Sequence, residues 1–181
     1  MKEFELDDED VMVRGIAVEA FIDAFGAYRS RGEMVLARFL GTEDDSIRSD
    51  GYYGATKLLA AFRELQDQFG VEFMYRAGHH LYERALFPPG IASFEDVLVA
   101  LDEAYYLNHR NADGKIGHYK YTKTGPTSGL MVCDNPYPCA LDMGLFAGSA
   151  ERFDENASLT HEDEALCRHK GADQCIYRIE W

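Results

Sequence analysis

The tetrapeptide Asn111-Ala112-Asp113-Gly114 divides this chain by hydrophobic period. Before it, apolar residues recur every three to four positions. After it they mostly alternate. A period of 3.6 lays one stripe along a helix and a period of 2 lays one face on a strand, so no single layer type accommodates both halves. Upstream, Leu58, Phe62, Leu65 and Phe69 share a stripe that stops at Gly70, and Val18, Phe21, Ile22, Phe25 and Tyr28 share another between Gly15 and Arg31. The stretch VEFMYRAGHHLYERALF reads as a helix ending before Pro88. A further helix opens with Ser93 as N-cap, has Asp96 three residues on, and buries Phe94, Val97, Leu98, Leu101 and Tyr105. Downstream, KIGHYKYTKT and LMVCD read as hairpin partners across GPTSG. ASLTHEDEALC and QCIYRIEW read as two more strands joined by RHKGAD. Between the pairs, Cys139, Met143, Phe146, Ala147, Ala150 and Phe153 form one helical stripe. The expected class is α+β, with helices first and then a small antiparallel sheet crossed by one helix.

The chain has 181 residues, the size of one domain, so residues 11–181 are expected to share one core behind an acidic, fraying tail of residues 1–10. GTEDDSIRSDGYYG reads as a loop. The net charge of −14 and pI near 4.7 repel phosphate backbones, which argues against direct nucleic-acid binding. No apolar run approaches the ~18 residues of a membrane span, and the acidic opening is unlike a secretory signal, so a cytoplasmic location is expected.

All four cysteines fall in the last third: Cys133, Cys139, Cys167 and Cys175. In a reducing compartment such clustering points to metal or redox chemistry more than to disulfides, with buried thiols as the plain alternative. The RHKGAD turn folds Cys175 back beside Cys167. Glu164 lies three residues before Cys167, close enough to converge with it where the strand bends. Cys139, in the first turn of its helix, is the available fourth donor, with Cys133 as its alternative. Three sulfurs and a carboxylate would make a closed set suited to Zn²⁺ as a structural clamp.

CALDMGLFAGSAERF, followed by EALC and CIYRI, resembles the vinyl-reductase-like (4-vinyl reductase) domain, which is shared with the sensory domains of phenol- and xylene-responsive bacterial activators. The resemblance covers about 45 residues. It implies Zn²⁺ ligation by Cys139, Glu164, Cys167 and Cys175, a small hydrophobic or aromatic ligand, a homodimer, and a separate effector protein to receive the signal. The sequence departs from that family at Ala140 and in the GADQ turn. The same fold is thought to extend to haem-based nitric-oxide sensors and to vesicle-tethering (TRAPP-type) subunits. The haem sensors carry Tyr-x-Ser-x-Arg for the porphyrin carboxylates, and here YRSRG places Gly32 where the last Arg belongs. Tyr105, His109, His118, Met143 and Phe146 are the expected lining of a pocket between helices and sheet. The reading is a zinc-stabilised small-molecule sensor, with a small vinyl-reductase or hydrolase enzyme, or a haem-based gas sensor, as the alternatives. No nucleotide fingerprint is present and no cysteine has an assigned base, which weighs against an enzyme.

Overall fold

A computed structural model describes residues 1–42 and 46–181. Six helices pack around two antiparallel sheets, so the α+β class holds. The helices are α1 (Gly15–Asp23), α2 (Arg29–Leu40), α3 (Ala55–Phe69), α4 (Val71–Arg84), α5 (Phe94–Leu107) and α6 (Cys139–Arg152). The strands are β1 (Met12–Arg14), β2 (Tyr52–Gly54), β3 (His109–Arg110), β4 (Tyr119–Gly125), β5 (Ser128–Cys133), β6 (Ser158–His161) and β7 (Cys175–Glu180).

The stripe expected to run from Gly15 to Arg31 is broken. Gly26 takes φ +55° and a short 3-10 turn separates α1 from α2. Gly70, at φ +80°, ends α3 and lets α4 leave at a new angle. Ser93 caps α5 as expected, its hydroxyl accepting the Asp96 N–H at 3.2 Å. Of the loop expected over GTEDDSIRSDGYYG, residues 43–45 lie outside the described residues, and β2 occupies its end.

The larger sheet runs β4-β5-β7-β6, with Cys133 opposite Cys175 and His161 opposite Tyr177. The smaller sheet, β2-β1-β3, was not legible in the sequence, because strands of two or three residues carry no period. It closes one end of the core above α1 and α5.

Helices α4 and α6 touch backbone to backbone. A Cβ on Gly78 would stand 2.1 Å from the Leu141 carbonyl oxygen, and one on Gly144 would stand 2.0 Å from that of Tyr75. Only glycine permits this approach. It draws together the helix that bears Cys139 and the helix that bears Leu81, a residue of the cavity wall described below.

The acidic opening does not fray at Glu3. That side chain is buried, its Oε1 accepts the Cys139 N–H at 2.6 Å at the start of α6, and its Oε2 lies 3.1 Å from His169 Nδ1. A carboxylate at a helix N-terminus meets unpaired amides and the positive end of the macrodipole.

Candidate functional site: an aromatic cavity and a thiol cluster

A cavity of about 70 Å³ sits where α1, α3, α4, α5 and α6 meet the small sheet. Val13, Phe21, Leu58, Leu81, Leu101, Leu141 and Leu145 supply its apolar wall. Its polar groups are those of Tyr105, Asn108, His109, Tyr119 and Tyr137. Tyr105 stands at the centre of an aromatic cluster, edge-on to His109 (4.6 Å between ring centroids), Tyr119 (5.1 Å) and Tyr137 (6.0 Å).

His109 is the imidazole of this cluster. One turn beyond Tyr105, its Nδ1 lies 2.7 Å from the Tyr105 carbonyl oxygen, which can only accept, so Nδ1 carries the proton. Nε2 is then the lone pair, and it accepts the Tyr137 hydroxyl at 2.7 Å. Burial holds the imidazole neutral by pulling its pKa down to about 4, against the backbone hydrogen bond that raises it. Burial also pushes the Tyr105 and Tyr137 hydroxyls up, so both remain donors. Asn108 fixes the floor. Its amide takes the Leu86 N–H at 3.0 Å and donates to the Leu86 and Ala104 carbonyls, fastening the loop after α4 to the end of α5.

Of the expected pocket residues, Tyr105 and His109 line this cavity. The other three do not. His118, in the residue before β4, turns to Asp102, 3.1 Å from its carboxylate. Phe146 lies on the other side of α6, packed on Tyr177 and Tyr119. Met143 packs partly buried against the core and is absent from the wall. The residues that sequence reading missed, Asn108 and Tyr137, gave no signal of their own: a polar residue closing a helix and a tyrosine between two prolines are ordinary loop chemistry.

At the N-terminus of α6, two residues before Leu141 of the cavity wall, Cys139 joins Cys167, Cys175 and His161, whose donor atoms all lie within 4.8 Å of one another. Cys167 Sγ is 3.6 Å from each of Cys139 Sγ, Cys175 Sγ and His161 Nε2. These four could hold a metal ion. Three are the cysteines expected from sequence, but Glu164 is not among them. β6 ends at His161, so the chain leaves the sheet before Glu164, which sits on an exposed 3-10 turn with its carboxylate 3.9 Å from Lys170. His161 takes its place. Cys133 is buried on β5 opposite Cys175 and stands outside the set.

The Cys139 thiol donating to Cys175 holds the Cys175 pKa well below the usual thiol range, with further help from His161 and Arg168. Cys139 is raised correspondingly. Arg168 reaches Cys175 Sγ through its backbone N–H (3.3 Å) and Nε (3.4 Å). Its guanidinium also meets Asp142, the Asn135 side chain (2.6 Å) and the Tyr137 carbonyl (2.8 Å). Asp142 accepts from Tyr119 at 2.6 Å and Tyr177 at 3.2 Å. Both charged side chains are fully buried. This network therefore runs from the thiols to Tyr137 and Tyr119 in the cavity wall.

The helices, the two antiparallel sheets and the apolar cavity among them make up one α+β architecture. No protein-family model matches the chain, and no characterised protein matches it in sequence. Solved structures do match. An H-NOX protein from S. oneidensis in the Fe(II)NO ligation state aligns at 17% identity over 92% of this chain and 98% of its own, with a TM-score of 0.68. An oxygen-binding H-NOX domain related to soluble guanylate cyclases, in its oxygen complex, aligns at 16% identity over 92% and 94%, with a TM-score of 0.68. A structure from work on haem distortion in the H-NOX family aligns at 15% over 93% and 94%, with a TM-score of 0.69. The fold is that of H-NOX domains.

This comparison corrects the expectation of Zn²⁺ as the cofactor. The cofactor named for structures of this fold is haem. No helix among the described residues is long and apolar enough to cross a membrane.

Proposed function

We propose that this chain is a small-molecule sensor domain whose ligand enters the cavity beside His109 and is read by the His109–Tyr137 hydrogen bond. The observation that carries the reading is a neutral imidazole with its lone pair aimed at a buried hydroxyl inside an otherwise apolar cavity. A ligand that competes for either partner changes the packing of the loop bearing Tyr137, and the Arg168 network joins that loop to α6 and the thiol cluster. Ligand binding is thereby a difference in free energy between two packings, which is what a sensor needs. The resemblance of the last 45 residues to vinyl-reductase-like sensory domains supports the same class and the expected small hydrophobic ligand.

The second reading is a haem-based gas sensor, favoured over a zinc-stabilised site by the H-NOX likeness. The donor chemistry of His109 suits iron: a neutral imidazole whose other nitrogen donates to a backbone carbonyl is the arrangement of a metal-bound histidine. The room does not suit a porphyrin. The cavity of about 70 Å³ is well below the ~300–1,000 Å³ of sites that bury large ligands, and Tyr137 occupies Nε2. No Lys or Arg among the described residues lines it to meet porphyrin carboxylates. No residue of the YRSRG segment is in the wall, and Tyr28 is exposed on the turn before α2. As packed, the cavity does not fit haem, and no step is derived through it. A molecule of a few heavy atoms fits directly. A ring, which fills a cavity of ~150 Å³, enters when Tyr137 turns aside.

Haemin titration of the purified protein, followed by thermal shift with small apolar and monocyclic compounds, tests both readings. Stabilisation by such a compound, lost in His109→Ala, is the expected result. A Soret band saturating at one haem per chain and abolished in His109→Ala replaces it with the gas-sensor reading. Neither response from the wild type overturns the sensor assignment.

A further inference from the structure

The small sheet has two faces, and the cavity uses only one. Val13 on β1 and His109 on β3 point into the cavity wall. Their neighbours Arg14 and Arg110 therefore fall on the outer face, where successive side chains of a strand alternate. Arg14 sits opposite Tyr52 in register, and Arg110 sits opposite Met12. The Arg110 guanidinium lies over the Tyr52 ring, 3.4 Å from its centroid, and that of Arg14 lies 5.9 Å from the same ring. Arg14 Nη1 also donates to the Tyr52 hydroxyl at 3.5 Å.

Neither arginine forms an ion pair among the described residues. The acidic group nearest in effect, Asp50, is held by Arg48 through two hydrogen bonds. Elsewhere on this chain of net charge −14 cations such as Arg29, Arg84, Lys123 and Arg178 do meet a carboxylate. Arg110 stacks on the ring and Arg14 donates to its hydroxyl, so one aromatic side chain orients both guanidinium groups, and a fork pre-oriented in this way favours bidentate capture of carboxylates.

We infer that this outer face is the output surface of the domain, and that it docks an acidic segment of a partner protein on Arg14, Tyr52 and Arg110. The inference rests on the sensor reading and names the partner's chemistry. It places input and output on opposite faces of the same two strands. A shift of His109 or Val13 on ligand entry is passed to Arg110 and Arg14 by one peptide bond. Like-charge repulsion from the rest of the surface rejects acidic chains elsewhere and steers them to this spot.

The test uses the full chain and a fluorescein-labelled octaglutamate peptide, with fluorescence anisotropy at low salt and an octalysine peptide as charge control. The wild type is expected to bind octaglutamate, and Arg14→Gln combined with Arg110→Gln to weaken it by roughly tenfold or more. The thermal midpoint and the response to cavity ligands should be unchanged in that variant. Equal binding by both proteins overturns the inference, as does failure of octaglutamate to bind the wild type. Sedimentation with phosphatidylcholine vesicles containing phosphatidylserine, in the absence of peptide binding, assigns the face to a membrane instead and equally overturns it. Loss of peptide binding in the variant of a protein that answers to no cavity ligand leaves this surface standing and removes the sensor reading.

Discussion

Replacing Asp142 by Asn keeps the shape of the side chain and removes only its charge, which isolates what the buried ion pair contributes. In the native protein Asp142 and Arg168 are both fully buried. The guanidinium has neutral acceptors on Asn135 and Tyr137 but no other carboxylate among its partners. Asp142→Asn therefore leaves the buried guanidinium with no carboxylate, only the Cys175 sulfur and neutral acceptors, which costs about 3–5 kcal/mol. For a domain of this size each kcal/mol moves the thermal midpoint by roughly 2–4 °C, so a fall of about 6–20 °C is expected. The same substitution weakens what Tyr119 and Tyr177 donate to and loosens the loop that carries Tyr137. Differential scanning calorimetry reads Asp142→Asn, and a cycle of Asp142→Leu, Arg168→Met and the two combined isolates the pairwise term. The double variant should be more stable than either single one, because an apolar pair leaves no orphaned charge. A fall of less than about 2 °C in Asp142→Asn, or a double variant whose loss equals the sum of the singles, would refute the argument that charge pairing holds this network together.

Two further outcomes follow from the cavity and the helix contact. His109 is neutral when folded, with a pKa near 4 against an ordinary value of 6.5, so the unfolded chain takes up the proton first as pH falls. Stability is then lost between about pH 6.5 and pH 4, at up to roughly 1.4 kcal/mol per pH unit from this group. Denaturant titrations should show that slope reduced in His109→Gln. At the helix contact, Gly144→Ala gains about 1 kcal/mol of helix propensity but drives a Cβ to 2.0 Å from a backbone carbonyl that cannot swing aside. Overpacking of about 1–3 kcal/mol or more should dominate. Gly54→Ala, whose nearest neighbour is a Lys57 methylene 3.9 Å away, should be close to neutral in the same melt.

The two halves of the chain were legible because their periods differ. A stripe of Leu58, Phe62 and Leu65 can be satisfied by one helical face, and these residues are all buried as that stripe requires. The thiol cluster was legible in its cysteines for a related reason: the RHKGAD turn fixes Cys167 and Cys175 side by side, whatever the rest of the fold does. The fourth donor was not. Choosing Glu164 assumed that the strand continues to Cys167, whereas pairing stops once His161 faces Tyr177 and the Glu162 N–H has bonded Ile176 O. Asp163 then accepts the Ala165 N–H and starts the 3-10 turn. A local capping preference overrode a strand pattern, and its effect was to exchange a carboxylate for an imidazole.

The cavity was harder to read because its polar chemistry comes from residues distant in sequence. His109 and Tyr137 are 28 positions apart and meet only because α5 and the loop before α6 converge under the small sheet. That sheet consists of strands too short to announce themselves, yet it decides which neighbours face inward. Val13 and His109 turn to the cavity, Arg14 and Arg110 to solvent. Alternation along two brief strands is thus enough to separate an apolar input face from a cationic output face within adjacent residues. Lengthening either strand would not strengthen that division, but moving its register by one residue would exchange the two faces, placing guanidinium groups in the cavity and the imidazole outside it.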